Sequence, residues 1–391
     1  MKHIETLIIG AGISGLSCAR KLADSSRDFL VITDRLGGRM HHSTWDSSSS
    51  SSKSSTLNLG ATYVNDDYTN ILKYVDRGQP FKLSKAYCEN EGKLTTAFNW
   101  RNWNEMVPFV RLVYRVYQLR FAAKEFRKDT ETTPQIEVLS KHPIINKYVH
   151  QAAEEFIQEL NLQTLNERYC NPAFQATCFV NAKEANTLFY LGNLFPLIIK
   201  TYIADFTHTY SRLTKGYENK IVIDKVCGLQ RNVNGNWNIS TISGENYTAN
   251  NVVIAAPYHN ASEFYPVPKP KLSTSATVLY VKGQRKKSYR QKDFMLFHPE
   301  RTGIALLWGQ TNGLDLIFSV TDTPELEAIY KEYDVIEKVH WKTAVVISDE
   351  NWVPLILEPG LFLVGDYNVC GLEDTFITGL CAANHIIAQS V

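Results

Sequence analysis

The chain has 391 residues, 44% of them hydrophobic, and its 41 basic and 40 acidic side chains leave a net charge of +1. That length exceeds the roughly 250–300 residues at which a single core stops growing, so two units are expected. The balanced charge excludes general electrostatic attraction to nucleic acid, and no apolar run reaches the ~18 residues of a transmembrane segment, so the expected partner is a small molecule in a specific pocket.

The first element is a strand. Ile4, Leu7, Ile8 and Ile9 form an apolar run after Lys2 that stops at glycine, and it reads as a strand rather than a leader. In the following GAGISG, Gly10 turns the chain, Gly12 leaves room for a pyrophosphate, and Gly15 lets the next helix lie close to the strand. Ile13 and Ser14 begin that helix, whose unpaired amides and dipole favour phosphate. A second strand, FLVITD, brings Asp34 and then Arg35; Asp34 lies 19 residues past Gly15, where a dinucleotide fold places its ribose-binding carboxylate. A second glycine cluster, Gly37 and Gly38 with Arg39, follows at once.

Next comes HHSTWDSSSSSSKSST, a polar tract expected to be a loop between two short strands, and then LNLGATYV with the turn Gly60, Ala61, Thr62. From about Asn102 to Lys200, apolar residues recur at helical spacing, and LFYLGNLFPLII, broken by glycine and proline, reads as core. Phe109, Tyr114, Phe174, Phe179, Phe189 and Phe195 are candidates to wall an apolar pocket. Short strands follow, with turns at Asn234-Gly235 and Ser243-Gly244 and a doubly buried NVVIAAP. Beyond them, ATVLYV, IALLWG and LDLIFSV read as strands, KGQRKKSYRQK as a solvated hairpin, and Pro324 to Tyr333 as a charged helix. The chain ends in a strand, a glycine-acid turn and a helix with Phe376, Leu380, Ala383 and Ile387 on one face. Strand, turn and helix thus recur at both ends of the chain, so the nucleotide unit is discontinuous.

Seven cysteines (Cys18, Cys88, Cys170, Cys178, Cys227, Cys370 and Cys381) are scattered with no CxxC pair. They argue for free thiols, a cytoplasmic location and no metal site.

GAGISG with Asp34, RLGGRM, LNLGATYV and the terminal VGDYN…GLEDTFITGLCAA together resemble the FAD-dependent amine oxidase superfamily, with its carotenoid desaturases, protoporphyrinogen oxidases and renalases. The resemblance implies a mixed α/β (α+β) fold, in which a discontinuous Rossmann-like FAD-binding domain (1–75, 215–260 and 355–391) carries an inserted helical-plus-sheet substrate domain (76–214 and 261–354). It implies that FAD meets Gly37, Gly38 and Arg39 at the diphosphate and ribityl chain, and Gly60, Ala61 and Thr62 at the isoalloxazine. Val226 would hold adenine through its backbone, Gly365 and Asp366 would meet ribityl or phosphate atoms, and Glu373, Asp374 and Thr375 would lie at the pyrimidine end. Departures accompany it. The link from Asp34 to Gly37 has the shorter renalase spacing, Ala276 stands near the usual flavin-side lysine, and Gly371 replaces an aromatic residue of the amine-guiding cage. No catalytic side chain is assigned. The expected activity is hydride transfer from a largely apolar substrate to flavin N5. Alternatives are an amine oxidase or renalase-like dihydronicotinamide oxidase, an NAD-dependent dehydrogenase, and a non-catalytic FAD-containing binding protein.

Overall fold

The computed structural model describes residues 2–45, 55–81, 86–90, 92–96 and 105–389; most of the serine tract, residues 46–54, lies outside the described residues. Lys2–Ala11 runs parallel to Phe29–Leu36 on one side and to Asn246–Ile254 on the other. Ile221–Ile223 extends one edge and Leu361–Leu363 the other, both also parallel. The continuous apolar runs follow from burial on both faces. Ile8, Val31, Val253 and Phe362 face one core, while their neighbours Leu7, Leu30, Ile32 and Val252 face another. The hairpin Val226–Arg231 and Trp237–Thr241 pairs with the first half of Asn246–Ile254, and Leu361–Leu363 takes its second half. The crossover helix Ile13–Asp24 and the terminal helix Leu372–Ala388 pack together on one face.

A second sheet orders Tyr330–Ile347, Leu272–Arg285, Asp315–Ser319, Ile304–Gly309, Phe294–Leu296, Tyr87–Asn90 and Lys93–Thr96, antiparallel except for Phe294–Leu296 beside Tyr87–Asn90. Two expectations fail here. The charged segment from Pro324 is a single turn, Leu326–Ala328, followed by the long strand Tyr330–Ile347. Pairing along Leu272–Arg285 and burial of Tyr330, which donates to Asp315 at 2.5 Å, override its helix-like charge pattern. The basic stretch is not wholly solvated either, because Arg285 forms a part-buried two-pronged ion pair with Asp315.

The inserted region is helical as expected. Met106–Thr130, Pro143–His150, Ala153–Glu159, Asn171–Cys178 and Thr187–Gly192 enclose Leu112, Val116, Leu119, Phe156, Phe174 and Tyr190. A three-stranded sheet of Tyr63–Asn65, Thr201–Asp205 and Asp76–Phe81 joins this region to the first core. Ala204, Phe206 and Leu213 pack there with Ile8 and Leu16, so residues 201–214 share the nucleotide-unit core rather than the helical one.

Candidate active site

The first glycine cluster is shaped by close approach. Gly10 has φ +108°, and a Cβ there would lie 2.7 Å from Ala255 O. Gly12 caps the helix Ile13–Asp24 with no side-chain cap, and no atom lies within 4 Å of where its Cβ would be. The helix amides therefore open onto free space, as a phosphate site requires. The second cluster folds against the first: a Cβ on Gly38 would sit 3.1 Å from Gly12 Cα, and the turn at Ala61 donates its N–H to Arg39 O at 2.7 Å.

Gly10, Gly12, Ile13, Ser14, Asp34, Arg35, Gly37, Gly38, Arg39, Gly60, Ala61, Thr62, Gly365, Asp366, Asp374 and Thr375 all line one cavity of about 660 Å³. That size lies within the range of small-molecule sites. Three expected residues do not line it. Gly15 lies under the helix, where a Cβ would be 2.0 Å from Gly10 O, so its role is packing. Val226 is buried among Leu229, Trp237 and Ile239, away from the cavity wall. Glu373 is fully buried and turned away, its carboxylate accepting the N–H groups of Thr69, Asn70 and Ile71 at 2.9–3.0 Å and the Thr69 hydroxyl at 3.0 Å. It anchors a loop instead of meeting a flavin.

Arg39 differs from expectation in its partner. Nη1 donates to Asp366 Oδ2 at 2.6 Å and to Ala344 O at 2.9 Å, and Nη2 donates to Asp366 Oδ1 at 2.7 Å. The pair joins the second glycine cluster to the terminal motif, which are 327 residues apart. Burial opposes charge on Asp366, but Arg39 outweighs it and holds the carboxyl below the usual range.

The terminal helix also begins at the cavity. It has no side-chain cap, and Thr375 N–H donates to Gly371 O as the helix starts, so the preceding amides of Leu372 and its neighbours lie where Gly371, Leu372 and Asp374 line the wall. Above it sits a residue that sequence reading missed. Arg127, on Met106–Thr130, donates from Nε to Asp374 Oδ1 at 2.9 Å and from Nη2 to Oδ2 at 2.8 Å, and its guanidinium lies 5.3 Å from the Tyr68 ring centroid. No local sequence signal marks it, since its partner is 247 residues away. His259, Asn260, Glu263 and Lys342, also unmarked, line the cavity. Burial and then Lys342 lower the His259 pKa, favouring the neutral ring.

The rest of the wall is mixed: Asn65, Thr177, Asn193, His340, Thr343 and Ser348 line it together with an apolar group. That group is Leu119, Ile145, Phe179, Leu188, Phe189, Phe195 and Phe318. Of the aromatic candidates, Phe174 is instead buried in the helical core, Phe109 packs against that core, and Tyr114 is exposed. Ala276, opposite Trp341 in the sheet, occupies the position noted for its missing lysine. A Cβ on Gly371 would meet Asp374 Oδ2 at 3.3 Å. Tyr63 and Tyr68 line the cavity, and burial raises both phenol pKa values. Tyr367 donates its hydroxyl to Ala256 O at 3.0 Å. Burial pushes the Cys370 thiol up to about 12 and raises Cys178 well above its ordinary value, so both stay protonated and unreactive. All seven cysteines are free, and no metal-binding cluster occurs among the described residues.

The family described as flavin containing amine oxidoreductase matches residues 13–281. Solved structures share the fold at low identity. Putrescine oxidase bound to putrescine superimposes with a TM-score of 0.69 at 14% identity, covering 99% of both chains. Cyclohexylamine oxidase from Brevibacterium oxydans gives 0.65 at 13%, covering 99% of this chain and 98% of that one. Reduced UDP-galactopyranose mutase gives 0.63 at 12%, covering 99% and 94%. No curated protein sequence matches the chain.

Proposed function

We propose a substrate and a division of labour for this chain, which belongs to the flavin containing amine oxidoreductase family and is an FAD-dependent oxidoreductase. The substrate is a neutral, largely apolar molecule oxidised at a C–H bond. FAD supplies the two-electron acceptor. Residues 1–75, 215–260 and 355–391 serve the cofactor, joined by 201–214, and the remainder of 76–214 and 261–354 serves the substrate.

Two uncapped helix N-termini and the space above Gly12 fit a dinucleotide. Gly10 to Ser14 and Gly37 to Arg39 would take its pyrophosphate, and Asp34 its ribose. The helix beginning at Leu372 would direct its positive end at the pyrimidine edge, favouring negative charge there. Phe179, Leu188, Phe189 and Phe195 would exclude water and orient the substrate.

One observation carries the substrate reading. The carboxylates among the described lining residues are Asp34, Glu263, Asp366 and Asp374. Asp366 is held by Arg39, Asp374 by Arg127 and Glu263 by Lys225, and Asp34 is assigned to ribose. None is left for an ammonium group beside the apolar wall. An amine remains the second reading, favoured by the family and by the putrescine and cyclohexylamine oxidases. Anaerobic mixing with amines, reduced nicotinamides, and polyene or porphyrinogen precursors, monitored by loss of the flavin band, distinguishes them. Bleaching by a polyene or porphyrinogen precursor is expected; rapid bleaching by amines alone would establish the second reading.

A further inference from the structure

The helix Met106–Thr130 has two apolar faces, and the fold uses one. Leu112, Val116, Leu119 and Phe126 are buried, and Leu119, Ala123, Phe126 and Arg127 line the cavity. On the opposite face Val107, Val110, Tyr114, Tyr117 and Phe121 recur at alternating spacings of three and four, exposed by 59%, 60%, 58%, 40% and 66%. That spacing draws them into one continuous stripe. A 25-residue helix that is apolar on opposite sides is the pattern of an element with two partners.

The borders of the stripe identify the second partner. Between Met106 and Lys124 the helix carries Arg111, Arg115, Arg120 and Lys124 and no acid; its first acid is Glu125. Arg111 and Arg115 border one side of the stripe, and Arg120 and Lys124 the other, by helical geometry. Asp67 engages Arg120 at 3.6 Å and the half-buried Arg115 donates to Gln118 Oε1 at 2.9 Å, while Arg111 and Lys124 are exposed. Apolar and aromatic side chains between two basic borders match an anionic lipid interface, where the stripe enters the acyl boundary and the cations stay among headgroups. A second copy fits less well, because pairing stripe to stripe sets basic borders against each other with no acid from 106 to 124 to meet them.

We propose that this face docks the protein on an anionic membrane surface, with the helix forming the wall between bilayer and cavity. The inference does not depend on the substrate reading. Flotation of the FAD-loaded protein with phosphatidylcholine vesicles, with or without phosphatidylglycerol, tests it. Wild type is expected to float with the anionic vesicles and to be released by salt. The triple variant Val110→Ser, Tyr114→Ser, Phe121→Ser is expected to stay behind with its flavin band unchanged. Arg111→Gln with Lys124→Gln is expected to lower partitioning by roughly 30-fold, the conversion of about 1 kcal/mol per basic side chain near an anionic surface. Equal partitioning into neutral and anionic vesicles, or flotation of the triple variant like wild type, would overturn the proposal. So would a wild-type dimer that ignores vesicles and becomes monomeric in the triple variant, which would assign the face to a second copy. A triple variant without flavin would have lost its fold, and the Arg111→Gln, Lys124→Gln variant then decides the question alone.

Discussion

Removing the Arg39 guanidinium strands Asp366, a carboxylate that is 6% exposed. Breaking a buried pair costs more than the pair contributes, because the remaining charge has no solvent. Arg39→Ala should therefore destabilise even the FAD-free protein by about 3 kcal/mol in urea unfolding, with weaker FAD retention as a consequence. A residue used solely as a phosphate clamp would leave FAD-free stability unchanged. The pH dependence has a defined sign. Arg39 lowers the folded-state pKa of Asp366, so its stabilisation is present above the unfolded value near ~3.9 and is lost as pH falls through the folded one. The difference between wild type and variant should accordingly shrink below about pH 4. Sequence reading brought Arg39 and Asp366 to the same cofactor region without pairing them. Glycine clusters and acids carry local signals, whereas an ion pair between residues 327 positions apart depends on the whole fold.

The terminal helix meets the crossover helix at Gly379, where a Cβ would lie 2.0 Å from Ser14 O and 2.1 Å from Ser17 Oγ. Ser17 donates to Phe376 O at 2.8 Å across the same contact. In an exposed helix Gly→Ala stabilises by about 1 kcal/mol. Here overpacking reverses the sign, and Gly379→Ala should destabilise by about 2 kcal/mol in thermal or urea unfolding and weaken FAD binding, since both helix N-termini line the cavity. A gain in stability would refute this close contact. At this scale the strands and helices with one repeating period were legible, and so were the turns at Gly10 and Gly235. Tyr330–Ile347 was not, because its charges mimic a helix while partner strands decide its pairing. Glu373 was misjudged for a related reason: the first turn of the terminal helix lies at the cavity, but rotation about the helix axis sends Asp374 toward it and Glu373 toward the loop at Thr69–Ile71.

Among the described residues, segments from both ends of the chain, the helical insertion and the second sheet line a common cavity. Four short motifs made the glycine-lined part of the cavity legible because close backbone approach constrains glycine placement. The aromatic residues of the insertion were legible as buried but not in position. Phe179, Phe189 and Phe195 reach the wall, whereas Phe174 with the same periodicity is core. Periodicity identifies a buried face without saying whether a ligand or a neighbouring helix covers it. Arg127 and Asp374 tie the insertion to the terminal helix, so the apolar and glycine-lined parts of the cavity are joined by an ion pair. The visible spectrum of the purified protein, with quantification of flavin released on denaturation, tests that site most directly. The structure predicts one FAD per chain, with absorption bands near about 370 and 450 nm while bound. Colourless protein that takes up no added FAD would contradict it.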